Sequence, residues 1–294
     1  MPQLQKPAVF DGEPHATPLD RRNFLRVAGG AAAWFAMSAC CAQSTGTPDT
    51  ATDKGLWITW YDLPEAGRND YLAWLHQKYI PGMLKRPGLL YAAHYASAPR
   101  GATRTMRRDG AEPNHDVAVP TGDRYILIFG ATQTNVFGAP TPAEQHAALP
   151  AEDRRMLAMR VGERVNVMAE ASRVTALAAR DYQDGMALAP CIQLGSFNIA
   201  WQDEDEMLAW YAQSRMPAMG QLRGCIRTRK LASVAGWAKH AILYEFVSVE
   251  ARNRDYLTLE DGKPEMKAWS DRMVPKLTHA PGSANLASRL WPPA

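Results

Sequence analysis

The feature that most constrains this chain is that it repeats itself. Residues 71–90 and 207–226 align at a constant offset of 136 without a gap, and Leu72/Leu208, Ala73/Ala209, Trp74/Trp210, Gln77/Gln213, Pro81/Pro217, Met83/Met219 and Gly88/Gly224 are identical. Self-similarity at one fixed spacing points to two like supersecondary units. Each copy sits in the same context. A strand-like run comes first, 56–61 in one half and 195–201 in the other, followed by a polar turn and a helix. A second strand follows Gly88 or Gly224, and a third is expected at 125–129 and 241–247, because branched and aromatic residues bounded by Gly favour extended chain. Helical stretches at 141–159 and 263–277 and last strands near 165–177 and 284–290 complete each unit. The order βαββαβ, twice, is a pair of ferredoxin-like units and an α+β fold. Pro81 and Pro217 are expected to end or kink the first helix of each unit, since an interior Pro lacks the amide N–H and crowds the preceding turn.

Length agrees with two units. The chain has 294 residues, 46% of them hydrophobic and 21% charged, enough to bury two cores and unlike a disordered or collagen-like composition. Lys and Arg number 33 against 30 Asp and Glu. Such a balance gives no field that would attract nucleic acid or an anionic membrane.

The first 42 residues are set aside as an address. Asp20-Arg21-Arg22-Asn23-Phe24-Leu25-Arg26 resembles the twin-arginine motif, and the uncharged run 27–37 behind it is too short to span a bilayer. The expected partner here is the twin-arginine translocon and the expected location is the periplasm. Met37-Ser38-Ala39-Cys40-Cys41 resembles a lipobox with Met at its head and Cys40 as the lipidated residue. Two outcomes stay open, a lipid tether at Cys40 or cleavage near Ala42 and a soluble product. Residues 43–55 carry no large apolar side chain and read as a tether. The first repeat then covers 56–188 with an inserted loop at 99–120, and the second covers 189–294. Cys191 and Cys225 either pair in the oxidising compartment or stay as buried free thiols.

Trp74-Leu-His-Gln-Lys-Tyr79-Ile-Pro81 and Trp210-Tyr211-Ala-Gln-Ser-Arg215-Met-Pro217 resemble the Trp-Tyr-Asp-x-x-His-x-Pro pattern of the EthD-like group of the dimeric α/β-barrel superfamily. The resemblance implies two ferredoxin-like sheets that face each other, here within one chain, as an α/β barrel of antiparallel strands. It implies an apolar pocket between each sheet and its helices. Members include cofactor-independent cyclases, lyases, isomerases and monooxygenases of aromatic or polyketide-like molecules, alongside haem enzymes. Where the family often has His in that helix, this chain has Tyr79 and Arg215, so a His base does not carry over directly.

Candidate site residues follow from chemistry. Proton transfer near neutral pH favours His, and beyond the address there are six: His76, His94, His115, His146, His240 and His279. His94 alternates with Tyr91 and Tyr95 on strand two and therefore faces the opposite side, which is either the pocket or the barrel interior. The expected catalytic set is His94, Tyr79 as donor or oxyanion stabiliser, and the loop pair His115 and Asp116 as base and orienter. Trp60, Tyr61, Tyr95, Arg215, Arg227, His240 and Tyr244 are expected to bind the substrate. Arg offers a fixed fork for a carboxylate or phenolate, and a surplus of strand aromatics, Trp201 among them, suits a flat aromatic ligand. Glu245 is expected to balance Arg227 or Arg229. No His-Glu-x-x-His, Cys-x-x-Cys, Walker, Gly-x-Gly-x-x-Gly or Gly-x-Ser-x-Gly segment is present, so no metal and no cofactor is expected.

The leading expectation is an exported, cofactor-independent lyase for a small aromatic compound, with a homodimer left open. A periplasmic binding protein is one alternative, and a haem peroxidase of the dye-decolorising type is another. For the latter, Asp181-Tyr-Gln-Asp184-Gly185 meets only the last two positions of Gly-x-x-Asp-Gly. What separates enzyme from binder is whether two titratable groups meet within hydrogen-bond reach.

Overall fold

The computed structural model describes residues 53–99, 119–180, 182 and 188–293. The first unit contributes β1 (Gly55–Asp62), β2 (Leu89–Ser97), β3 (Tyr125–Ala131) and β4 (Val161–Thr175). The second contributes β5 (Cys191–Asn198), β6 (Cys225–Ala235), β7 (His240–Phe246), the two-residue β8 (Thr278–His279) and β9 (Asn285–Trp291). Within the units the strands lie in the orders β4-β1-β3-β2 and β6-β7-β5-β9, and every pairing is antiparallel. The last strand of each unit pairs with the second strand of the other, β4 with β6 and β9 with β2, so eight strands close into a barrel. Closure removes the free edges that an open sheet would present. The expected α+β fold of two ferredoxin-like repeats is what the chain forms.

The repeated segment is a helix with a widened turn in both units. In the first it runs as α1 (Arg68–Trp74), a π turn at Leu75–Tyr79 and α2 (Ile80–Met83). The first unit continues with α3 (Pro142–Ala147) and α4 (Ala151–Leu157). The second has α5 (Glu204–Trp210), a π turn at Tyr211–Arg215, α6 (Met216–Gly220), α7 (Val249–Tyr256) and α8 (Pro264–Met273). The π turns answer the prolines. Pro81 and Pro217 cannot donate, and their rings would strike a carbonyl four residues back. The Ile80 N–H instead reaches the Leu75 carbonyl and the Met216 N–H reaches Tyr211, five residues back in each case, so the helix widens and runs on rather than ending.

Alternation along the strands sorts side chains into three cores. Leu56, Ile58 and Trp60 of β1 meet Ile126, Ile128, Ile192, Leu194, Leu231 and Leu243 inside the barrel. On the outer face of the first sheet, Trp57, Tyr61, Leu127 and Phe129 pack under Tyr71, Leu75, Tyr79 and Ile80. On the second, Phe197, Tyr244 and Phe246 pack under Trp210, Tyr211, Met216 and Met219. A charged cluster sits at one end of the interior. Arg229, fully buried, binds Glu170 at 2.7 Å and Asp53 at 2.8 Å, Tyr91 donates to Asp53 at 2.8 Å, and Arg227 forks onto Glu245. Gly130 makes room for it, because a Cβ there would lie 2.2 Å from the Tyr91 ring.

Some boundaries differ from expectation. The second unit's first strand is Cys191–Asn198 rather than 195–201, and Trp201 lies in a 3-10 turn at 76% exposure, so it is not a strand aromatic. The helix expected at 141–159 is two short helices divided at Pro150. Asp53, read from sequence as tether, is buried against Arg229. Residues 1–42, and with them Cys40, lie outside the described residues.

Candidate functional site

The layer between the first sheet and its helices holds a continuous chain of titratable groups. His94 projects outward from β2, opposite Tyr91 and Tyr95, as alternation requires. Its Nε2 lies 2.9 Å from the Tyr61 hydroxyl on β1, and its Nδ1 lies 2.8 Å from Nε2 of His76 on the first π turn. Tyr125 of β3 stacks against both His94 and Tyr61, at ring centroid distances of 5.6 and 5.7 Å. Tyr61 in turn packs edge-on against Tyr71 at a centroid distance of 5.8 Å, and the Tyr71 oxygen accepts from Arg160 Nε at 2.6 Å. Arg160 also holds Glu163 at 2.6 Å, and its guanidinium stands 4.6 Å over the Tyr61 ring and 5.9 Å from that of Tyr79. Its remaining nitrogen, Nη2, is buried and has no protein partner.

A second pair flanks the first. Tyr79, also on the π turn, lies 2.9 Å from His146 Nε2 of α3, and the His146 ring packs 5.5 Å from Trp57. The π turn therefore supplies both His76 and Tyr79 to the layer.

Burial sets the protonation states. His94 is fully buried and its pKa lies well below the ordinary value, through loss of solvent first and the nearness of His76 and Arg160 second. His76 is half-buried and lowered by burial, while burial and Arg160 bring His146 down to about 4. Burial, then Tyr71, pushes Tyr61 well above the usual phenol range. At neutral pH all three imidazoles are therefore neutral, and each neutral imidazole donates through one nitrogen and accepts through the other. Two proton arrangements satisfy the chain. In one, Tyr61 donates to His94 and His94 donates to His76. In the other, His76 donates to His94 and His94 to Tyr61. A shift between them carries one proton between the half-buried His76 and the buried phenols beneath Arg160.

The other expected residues lie in two separate places. Trp60, Tyr95 and Arg227 face the barrel interior: Arg164 stands 4.8 Å over Trp60, Tyr95 donates to the Ala189 carbonyl at 2.7 Å, and Arg227 is taken by Glu245, as expected of that pair. Trp60 and Tyr95 share β1 and β2 with Tyr61 and His94 but point the opposite way, and Arg227 lies on β6, so none of the three joins them in one site. Arg215, Tyr244 and His240 lie in the second unit's helix layer. Arg215 is buried, donating to Tyr256 at 2.6 Å and Glu260 at 3.0 Å, with Tyr244 at 3.4 Å. His240 bonds Lys230 and Glu204. His115, Asp116 and most of residues 181–187 lie outside the described residues.

Sequence reasoning missed the roles of His76, Tyr71, His146 and Arg160. His76 carried a signal, since it lies in the repeated helix three residues before Tyr79. Arg160 carried none, because its contact with Tyr71 spans 89 residues.

A haem would require an imidazole with an open lone pair. His94 and His240, the two buried histidines among the described residues, have both ring nitrogens engaged, so neither of the two fits that group. Among the described residues no cluster of three or more His, Cys, Asp or Glu suits a metal ion.

No family model matches the sequence, and no curated protein does. Solved structures match by shape. A candidate monooxygenase from Fusobacterium nucleatum is 8% identical with a TM-score of 0.50, over 82% of this chain and 94% of that one. An anthrone oxidase-like protein is 12% identical with a TM-score of 0.48, over 81% and 92%. A dye-decolorizing peroxidase from Bacteroides thetaiotaomicron is 10% identical with a TM-score of 0.48, over 81% and 93%. At such identities the likeness concerns the fold alone: the chain is folded as a dimeric α/β barrel, with both halves supplied by one polypeptide.

Proposed function

We propose that the protein is an exported, cofactor-independent enzyme of the EthD-like kind, a lyase that cleaves a small aromatic compound by proton transfer in the first unit's helix layer. The observation that carries this reading is the hydrogen-bonded chain His76–His94–Tyr61. A binding protein has no need of three neutral titratable groups in series. His94 accepts the proton of a substrate side-chain hydroxyl through Tyr61, and His76 exchanges it with solvent. The electron pair left on that oxygen forms a carbonyl, the C–C bond to the ring breaks, and the ring carbon takes up a proton. An aldehyde leaves, and no oxidant or reductant enters. Arg160, with an unused donor, steadies negative charge on a ring oxygen as the bond breaks. The twin-arginine segment supports export to the periplasm, with Cys40 as the lipid attachment point if the tether forms.

The test is a panel of phenols bearing hydroxylated side chains, followed for substrate loss and aldehyde release. His94→Ala and Tyr61→Phe each lower turnover by about a hundredfold to ten-thousandfold. A substrate converted equally fast by wild type and both variants removes the assignment.

A further inference from the structure

The offset that pairs the repeats places Lys230 where the first unit has His94, and β3 aligned on β7 places His240 where it has Tyr125. The second helix layer thus holds an amine where the first holds an imidazole. Lys230 is 4% exposed and makes no ion pair among the described residues. Its Nζ lies 3.2 Å from His240 Nδ1 and 3.3 Å from the Leu231 carbonyl. His240 Nε2 lies 3.2 Å from Glu204, a carboxylate that Lys239 also holds.

These contacts fix the protons. Glu204 accepts from His240 Nε2–H, which leaves Nδ1 to accept from Lys230. Two N–H bonds of Lys230 are then used, one on His240 and one on Leu231, and a neutral amine keeps its lone pair free. Burial favours that form, drawing the pKa of Lys230 down to about 8; an ammonium would keep an unsatisfied N–H in an apolar layer. The titratable and charged groups facing the amine are Glu204 from α5, Tyr211 from the π turn, His240 from β7 and Lys239 just before it. Its walls are aromatic. Nζ stands 5.9 Å from the Phe197 ring and 5.6 Å from that of Tyr211, and these two rings stack on each other.

We propose that Lys230, His240 and Glu204 form a second site that captures small aromatic aldehydes as imines. The Nζ lone pair adds to the carbonyl carbon, and a proton passes from nitrogen to oxygen to give a carbinolamine. His240 relays a proton to that hydroxyl, the C–O bond breaks, and one water leaves for each C=N bond formed. The site stands on its own geometry and does not rest on the chemistry proposed for the first unit.

The experiment treats the full chain with benzaldehyde and cyanoborohydride at about pH 7.5, where an ordinary lysine is almost wholly protonated. Hydride adds to the imine carbon and leaves a benzylated lysine, read by peptide mass spectrometry. Lys230 is expected to be modified at least about tenfold faster than the exposed Lys54 and Lys78, since each pKa unit is a factor of ten in free amine. His240→Gln slows modification of Lys230 and leaves Lys54 and Lys78 unchanged. Modification of Lys54 and Lys78 with Lys230 untouched, or of Lys230 only once the chain is unfolded, overturns the proposal.

Discussion

His94 and Lys230 stand at the same place in the two units: each projects outward from its unit's second strand, opposite Leu127 of β3 and Ile242 of β7. One repeat puts an imidazole between a phenol and a second imidazole. The other puts an amine against an imidazole held by a carboxylate. The duplicated frame has kept its backbone and changed its chemistry.

Acid stability falls in two stages. His146 has an ordinary value of about 6.5 when unfolded and about 4 when folded, so between those values the unfolded chain binds a proton that the folded chain refuses. This contribution is complete above pH 6.5 and is lost as pH falls toward 4. His94 and His76 act in the same direction. Asp53 and Glu170 act later: burial alone would raise both, but Arg229, Arg173 and their hydrogen bonds hold them low, so their contribution is lost only below the ordinary carboxylate range. Urea unfolding of wild type and His146→Gln across this range checks the sign. The wild type loses on the order of 2 kcal/mol more, after allowing for partial exposure of the ring. Parallel curves contradict the assignment.

Breaking the Arg227–Glu245 pair is costly. Glu245 is fully buried, accepts the Arg227 fork and also takes the Ala189 amide at 3.0 Å. Glu245→Ala leaves that amide without its acceptor and Arg227 without its counter-ion, a loss of about 3–5 kcal/mol. Denaturant unfolding measures it, and a loss below about 1 kcal/mol contradicts the picture of a buried, fully used carboxylate.

Cys191 and Cys225 stay reduced. They sit on β5 and β6, and both are in register with Phe246 on the strand between them. Two strand spacings are about 9.5 Å, beyond the roughly 7 Å that a disulfide can bridge. Burial also raises both thiols to about 12. Peptide mapping after treatment with a thiol reagent finds both unmodified in the native protein and both labelled after unfolding. A peptide linking them through sulfur sinks this account.

Much of the fold was legible because the repeat carries it. The offset of 136 places β5 correctly, from Gly55–Asp62 to Cys191–Asn198; the aromatic pattern drew the strand too far toward Trp201. That His94 points away from Tyr91 and Tyr95 followed from alternation, but which face it takes did not, and Trp60, Tyr95 and Arg227, expected in the same site, lie inside the barrel instead. The fork of Arg227 on Glu245 was legible as two opposite charges on neighbouring apolar strands. The remaining site was not legible, because Tyr61, Tyr71 and Arg160 meet only after the helix has folded onto the sheet. A π turn has no periodicity that a helical reading expects, and the opposed Pro81 and Pro217 signalled only a break.

The central claim is that His76, His94 and Tyr61 form one chain of neutral hydrogen-bonded groups. Long-range proton–nitrogen NMR of the imidazole rings, taken through a pH titration, tests it most directly. The account predicts a His94 that stays neutral well below the ordinary value of about 6.5, with ring nitrogen shifts that move in Tyr61→Phe. A His94 that takes up its second proton near 6.5 and is indifferent to Tyr61→Phe would contradict it.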